Sequence, residues 1–230
     1  MAAKNGQFLL GLVAICVLAC SAGASQAVLN PSTTTVDDAG FGYPYNLNYG
    51  SESSMSGNCL LGYQNMFTMV PPTSAGQSIV IDSASLKLYA SIDATVDVYR
   101  VITPWLSLTP AGQAQFNVGG TYRDMANQLK WTNDPGSSLC FGASDYSASD
   151  HAVGMTSPEY NGSAVFDVTP VVAGIFASGV NEGMMLYSTA YIRTQESGMA
   201  EELTINYHYT PEPATMSLLV LGGLGLLRRR

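Results

Sequence analysis

Alternation of apolar and polar residues with a period of two runs through most of this chain, and it constrains the fold more than any other feature. Leu86, Leu88 and Ala90 point one way, with Ser85, Lys87 and Tyr89 the other. The same rhythm recurs at Val96 and Val98 against Asp97 and Tyr99, leading into Arg100-Val101-Ile102. It returns at Ala164, Phe166 and Val168, at Met184 and Leu186 against Met185 and Tyr187, and at Leu203, Ile205, Tyr207 and Tyr209. Such runs predict half-buried antiparallel strands, separated here by Gly, Pro, Asn and Ser clusters such as 70–77. One segment departs from this rhythm. Thr169 can cap a helix with Pro170 at its first position and Gly179 at its end, giving Val172, Ile175 and Phe176 as an apolar stripe. The segment 103–163 is looser and predicts long loops with two or three weak strands. The expectation is an all-β antiparallel sandwich with one short helix, flanked by an N-terminal signal-peptide helix and a C-terminal hydrophobic helix.

The two ends read as addresses. Residues 1–27 resemble a secretory signal: Lys4 is the only charge, Phe8 to Ala19 is apolar, and small residues place cleavage after Ala24 or after Ala27. Val17-Leu18-Ala19-Cys20 also offers a loose lipoprotein signal, and an uncleaved membrane anchor is the third reading, although the run is short for one. At the other end, Pro211-Glu212-Pro213 precedes an apolar run to Leu227 and then Arg228-Arg229-Arg230. The 14 residues from Ala214 to Leu227 would span about 21 Å as a helix, which suits transient anchoring with the arginines held on the cytoplasmic side. Residues 28–210 carry five Lys and Arg against sixteen Asp and Glu, a net charge of about −11, which disfavours nucleic acid as a partner. With only 11% charged residues and 47% hydrophobic ones, the chain is neither a disordered polyelectrolyte nor a coiled coil.

The C-terminal arrangement closely resembles the bacterial PEP-CTERM sorting signal (residues 211–230), in which an exosortase-type membrane enzyme reads the tripeptide and removes the tail. The central segments resemble the DNRLRE-type jelly-roll domain of secreted proteins, which is similar to carbohydrate-binding modules. The residues that carry this likeness are Asn48-Tyr49-Gly50, Ile79 to Tyr89, Val98-Tyr99-Arg100-Val101 with Trp105, and Trp131. Val165-Phe166-Asp167-Val168-Thr169, Asn181-Glu182-Gly183 to Leu186, and Gln195-Glu196-Ser197-Gly198 before Leu203 complete it. The family's arginine-led strand ending in Phe-Asp reads Gln64-Asn65-Met66-Phe67-Thr68-Met69 here, without arginine or aspartate, so a role in binding acidic sugars is less expected.

Chemistry-bearing residues are sparse. His151, read as lying in a loop, and His208, on a strand, sit in no nucleophile motif, and no His or Cys pair has zinc spacing. Asp145, Asp150 and Glu159 share a loop, and Asp167 and Glu196 lie in the family-like segments, but solvation or turn hydrogen bonding accounts for such acids. Calcium is the one cofactor the sequence offers, with Asp37, Asp38 and Glu196 as candidate oxygen ligands. Cys59 and Cys140 are either a disulfide or two buried thiols. Sugar recognition needs aromatic faces beside polar groups, and Tyr43, Tyr45, Tyr49, Trp131 and Tyr146 are the candidates, while Trp105 reads as core.

The expectation is therefore an exported, non-catalytic protein of the envelope or extracellular matrix, processed by an exosortase-type enzyme after transient inner-membrane anchoring. It would act as a polysaccharide-binding or adhesive module. The alternatives are a purely structural surface or biofilm protein and a small polysaccharide-active enzyme.

Overall fold

The computed structural model describes residues 24–41, 54–70, 77–132 and 142–211. It shows a mostly β chain consistent with the expected sandwich. Eleven strands are described: β1 (Ser25–Leu29), β2 (Val36–Phe41), β3 (Ser54–Tyr63), β4 (Gln77–Ala90), β5 (Thr95–Val101), β6 (Tyr122–Asp124), β7 (Leu129–Lys130), β8 (Tyr146–Met155), β9 (Gly162–Asp167), β10 (Met184–Arg193) and β11 (Glu202–Pro211). Two α-helices accompany them, α1 (Met66–Met69) and α2 (Thr169–Ser178).

Nine strands form one antiparallel sheet that curls into two leaves. The first leaf runs β2-β3-β10-β5-β8 and the second β1-β11-β4-β9. The leaves join where Ile192 of β10 pairs with Ala90 of β4. Across from that seam, Phe166 of β9 fills the space a side chain at Gly154 of β8 would need, which brings the two outer strands together. Between the leaves lie Cys59, Leu61, Val96, Val98 and Leu186 from the first, with Leu86, Leu88, Leu203, Ile205 and Leu29 from the second, all at most 2% exposed. These are the even-or-odd partners that the period-two pattern assigns to one face.

Two compact units share the chain. Of the described residues, the larger takes those within 26–70 and 81–206, and the smaller takes 24–25, 77–80 and 207–211. In the smaller unit the Ser78 and Thr210 hydroxyls lie 2.8 Å apart, and Tyr207 and Tyr209 make an edge-to-face ring contact.

Helix α2 forms where expected. Pro170 stands in its first turn, and Gly179 ends it in the left-handed conformation at φ 67°. The capping oxygen comes from Asp167, whose Oδ1 accepts the Thr169 amide at 2.8 Å; the Thr169 hydroxyl instead accepts the Ala84 amide of β4. Val171, Val172 and Ile175 are buried, and Phe176 meets Phe67 edge-to-face at 5.2 Å.

Several expectations need correction. Gln64 to Met69 is a turn followed by the one-turn helix α1, because Asn65 reverses the chain and its carbonyl accepts the amides of Thr68 and Met69. The sheet starts at Ser25, ahead of the expected boundary at 28, and Ala27 is buried in β1. Cleavage after Ala27 would therefore divide a strand that cleavage after Ala24 leaves whole. Within 103–163, β8 is a full ten-residue strand, and His151 lies on it rather than in a loop. Among the described residues no helix is long and apolar enough to cross a membrane. Glu212, Pro213 and the apolar run after them lie outside the described residues, as does most of the N-terminal signal.

Candidate functional site: an uncovered aromatic face

The outward face of the first leaf is divided in two by the segment 102–132. This segment folds over one end as a roof. Trp105, Leu106, Ala114, Val118 and Trp131 pack there on Ala39, Leu60, Val101 and Met185. The segment has little regular structure, so its backbone polar groups need other partners, and buried carboxylates supply them.

Glu182, 2% exposed in the turn before β10, accepts the amides of Trp105 and Leu106 at 2.8 Å and of Ser107 at 3.2 Å, together with the Ser107 hydroxyl. Its own carbonyl accepts the Trp105 indole N–H. Asp37 accepts the Gln64 side-chain amide at 2.7 Å and the backbone amides of Gly112 and Gln115. Asp145 accepts the Thr103 and Thr132 hydroxyls and the amides of Thr132 and Gly142. Burial would raise the Asp124 carboxyl, but hydrogen bonds from Asn127 and Asn117 outweigh it and hold the group below its usual range. The sharp turn that presents Glu182 depends on Gly183, at φ 71°, where a Cβ would collide with the Leu61 carbonyl and no other residue fits.

Beyond the roof the face is open. Register places Tyr187 of β10 beside Asp97 of β5, and Asp97 beside Val153 of β8. Tyr187 is 52% exposed, Val153 56% and Met155 61%. Tyr191, further along β10 past the irregularity between Ser188 and Ile192, is equally open. At the roof's margin the His151 ring stacks on Tyr99 (centroids 4.3 Å, 11°), and Tyr99 leans on Tyr146 at 4.7 Å. His151 Nε2 lies 2.9 Å from Asp97 Oδ1. A bulge in β8 between Ser147 and His151 makes this possible and also turns Asp150 to Arg100, 2.6 Å away. Burial alone would raise the Asp150 carboxyl, but the Arg100 hydrogen bond and the Ser147 hydroxyl hold it below the usual range. At the far end Arg193 donates to Asn161 at 2.7 Å and to the Tyr160 hydroxyl at 3.1 Å, its guanidinium over that ring.

The face thus combines flat aromatic and apolar surface with positioned polar groups. Such a face can stack on flat ring faces and hydrogen-bond hydroxyl groups.

Of the two candidates for sugar binding among the described residues, Tyr146 lies at this face, half-buried at its edge. Trp131 is 1% exposed, its indole N–H held by the Gly119 carbonyl, so its ring belongs to the roof's interior rather than to a binding surface. Tyr43, Tyr45 and Tyr49 lie outside the described residues. Tyr187, Tyr191, Tyr99, Asp97 and His151 were missed as a group; the signal available was the polar phase of two strands, read only as a non-core side. The acids proposed as paired carboxylates are separate in function: Asp145 is a buried acceptor, Asp150 pairs with Arg100, and Glu159 is exposed. Asp37 and Asp38 are fully buried while Glu196 is exposed, and among the described residues no three His, Cys, Asp or Glu side chains converge to hold a metal by themselves. Cys59 is buried between the leaves, and Cys140 lies outside the described residues. Compared with known proteins, the chain matches no family model, no curated sequence and no solved structure.

Proposed function

We propose that this is an exported, non-catalytic protein of the cell envelope or extracellular matrix that holds polysaccharide on the open face of β10, β5 and β8. The observation that carries the reading is that Tyr187 and Val153, over half exposed, share a rung with Asp97 beside the Tyr99–His151 stack, with Tyr191 exposed further along β10. A soluble sandwich does not gain by leaving aromatic rings uncovered, and contiguous exposed apolar surface marks a binding site. The address-like ends supply the setting: the N-terminal segment directs export, and the Pro211-Glu212-Pro213 tail directs transient anchoring and removal by an exosortase-type enzyme. The acidic balance, 17 Asp and Glu against 9 Lys and Arg, points to neutral or cation-bridged polysaccharide rather than a free polyanion.

The test is a glycan array probed with protein purified from the exported fraction, alongside a Tyr187→Ala/Tyr191→Ala variant. Retention on a subset of glycans, lost in the variant with unchanged far-UV circular dichroism, supports the reading. Absence of any glycan binding assigns the protein to a purely structural matrix role. Release of reducing ends or unsaturated products assigns it to catalysis.

A further inference from the structure

The inner face of the first leaf carries a feature that sugar binding does not use. Asp38 and Tyr63 lie on the same side of the β2–β3 ladder, one rung apart, because Val36 pairs with Tyr63 and Asp38 with Leu61. Both are fully buried, and so is Glu201, just ahead of β11. Among the described residues each has an oxygen with no hydrogen-bond partner: Asp38 Oδ1, Glu201 Oε2 and the Tyr63 hydroxyl. The other Asp38 oxygen accepts the Gln195 amide at 3.3 Å. The described ion pairs, Arg100–Asp150 and His151–Asp97, involve none of the three.

Burial, and then the charges of Glu201 and Asp38, push the Tyr63 phenol well above its usual range, so its hydroxyl lies in the field of both acids. Burial, followed by Asp38, does the same to Glu201; burial, followed by the charge of Glu196, raises Asp38. Two carboxylates in an apolar interior must be neutralised, by protons or by a cation. Protons alone leave the three oxygens as they stand, none within hydrogen-bond reach of a described partner. A cation satisfies all three.

We infer that Asp38 and Glu201 jointly bind a hard divalent cation of the calcium type, with the Tyr63 hydroxyl as a third oxygen donor. All three donors are oxygens, the set that calcium prefers, and backbone carbonyls and water complete its shell in sites of this kind. Asp37, named from sequence as a ligand, is saturated by Gln64, Gly112 and Gln115 and takes no part. Glu196 is exposed, and its charge raises both buried acids. The ion ties β2 and β3 of the first leaf to the start of β11 in the second, so it acts as a clip between leaves. It does not depend on the sugar-binding proposal.

The experiment uses the purified full chain, stripped with chelator, then titrated with calcium chloride by calorimetry and thermal unfolding. One ion per chain is expected, with a melting temperature that rises with calcium concentration and saturates. Asp38→Asn and Glu201→Gln lose the response yet remain folded in chelator, because each removes a buried charge. Tyr63→Phe keeps the stoichiometry with affinity weakened about tenfold, the size of one lost donor. No heat and no thermal shift with calcium overturns the inference, as does a response that survives in both carboxyl variants. If the carboxyl variants do not fold, the wild-type titration and Tyr63→Phe decide it.

Discussion

Replacing Glu182 with alanine should unfasten the roof from the sheet. The carboxylate holds three backbone amides and one hydroxyl of Trp105, Leu106 and Ser107, and it is almost fully buried. Hydrogen bonds to a charged acceptor contribute about 1.5–3 kcal/mol each, and a buried donor left unpaired costs about 1–3 kcal/mol. These costs do not add fully, since water enters once the acceptor is gone. A total of about 3–5 kcal/mol is expected, in line with breaking other buried charged networks. Glu182→Gln keeps the shape and one carbonyl oxygen but loses the charge, and should cost about 1–2 kcal/mol. Urea unfolding measures both. The chain's 2 tryptophans are Trp105 and Trp131, both buried in the roof, so their emission reports this region alone. In Glu182→Ala the emission should shift to the red at lower urea than the loss of far-UV circular dichroism, with the sandwich still folded. A loss below about 1 kcal/mol with tryptophan emission unchanged would refute the account of how the roof is held.

Two further outcomes follow from the buried acids and the tail. The Asp38 carboxyl is pushed up to about 7 by burial, followed by the charge of Glu196, whereas an unfolded aspartate titrates near 3.8. Between those values the folded chain keeps a proton that the unfolded chain has lost, so in chelator stability should fall as pH rises from about 4 to 7. The ceiling is about 4 kcal/mol at about 1.4 kcal/mol per pH unit, and Asp38→Asn should flatten the slope; a wild-type profile that rises over this range contradicts it. Glu212→Ala should leave an uncleaved, membrane-retained form on immunoblots, and unchanged processing removes the sorting reading.

The strands that face the space between the leaves were legible because alternation encodes which residues share a side. Leu86 and Leu88, Val96 and Val98, and Leu203 and Ile205 are buried as their phase requires. Helix α2 was legible from Pro170 and Gly179, which act locally. Alternation is silent about what covers the other side. Met185 was read as an outward residue, yet it is buried, because a segment more than fifty residues away in sequence closes over it. That segment has no periodicity to read, since carboxylates borrowed from distant strands hold it in place. Trp131 was misjudged for the same reason: an aromatic in an irregular segment looks like a surface platform until its roof is known. The pairing of His151 with Asp97 depends on a bulge and on strand register, neither of which a single strand's pattern records. The short helix at Met66 replaced an expected strand because a turn at Asn65 outweighed an apolar run of ordinary strand length.

The most direct trial of the open face is an adsorption isotherm of the purified protein on bacterial extracellular polysaccharide. Saturable binding that weakens at least tenfold when Tyr187 and Tyr191 are both alanine, with the melting temperature unchanged, is the expected result. Equal adsorption by wild type and variant would contradict the claim that this face carries the function.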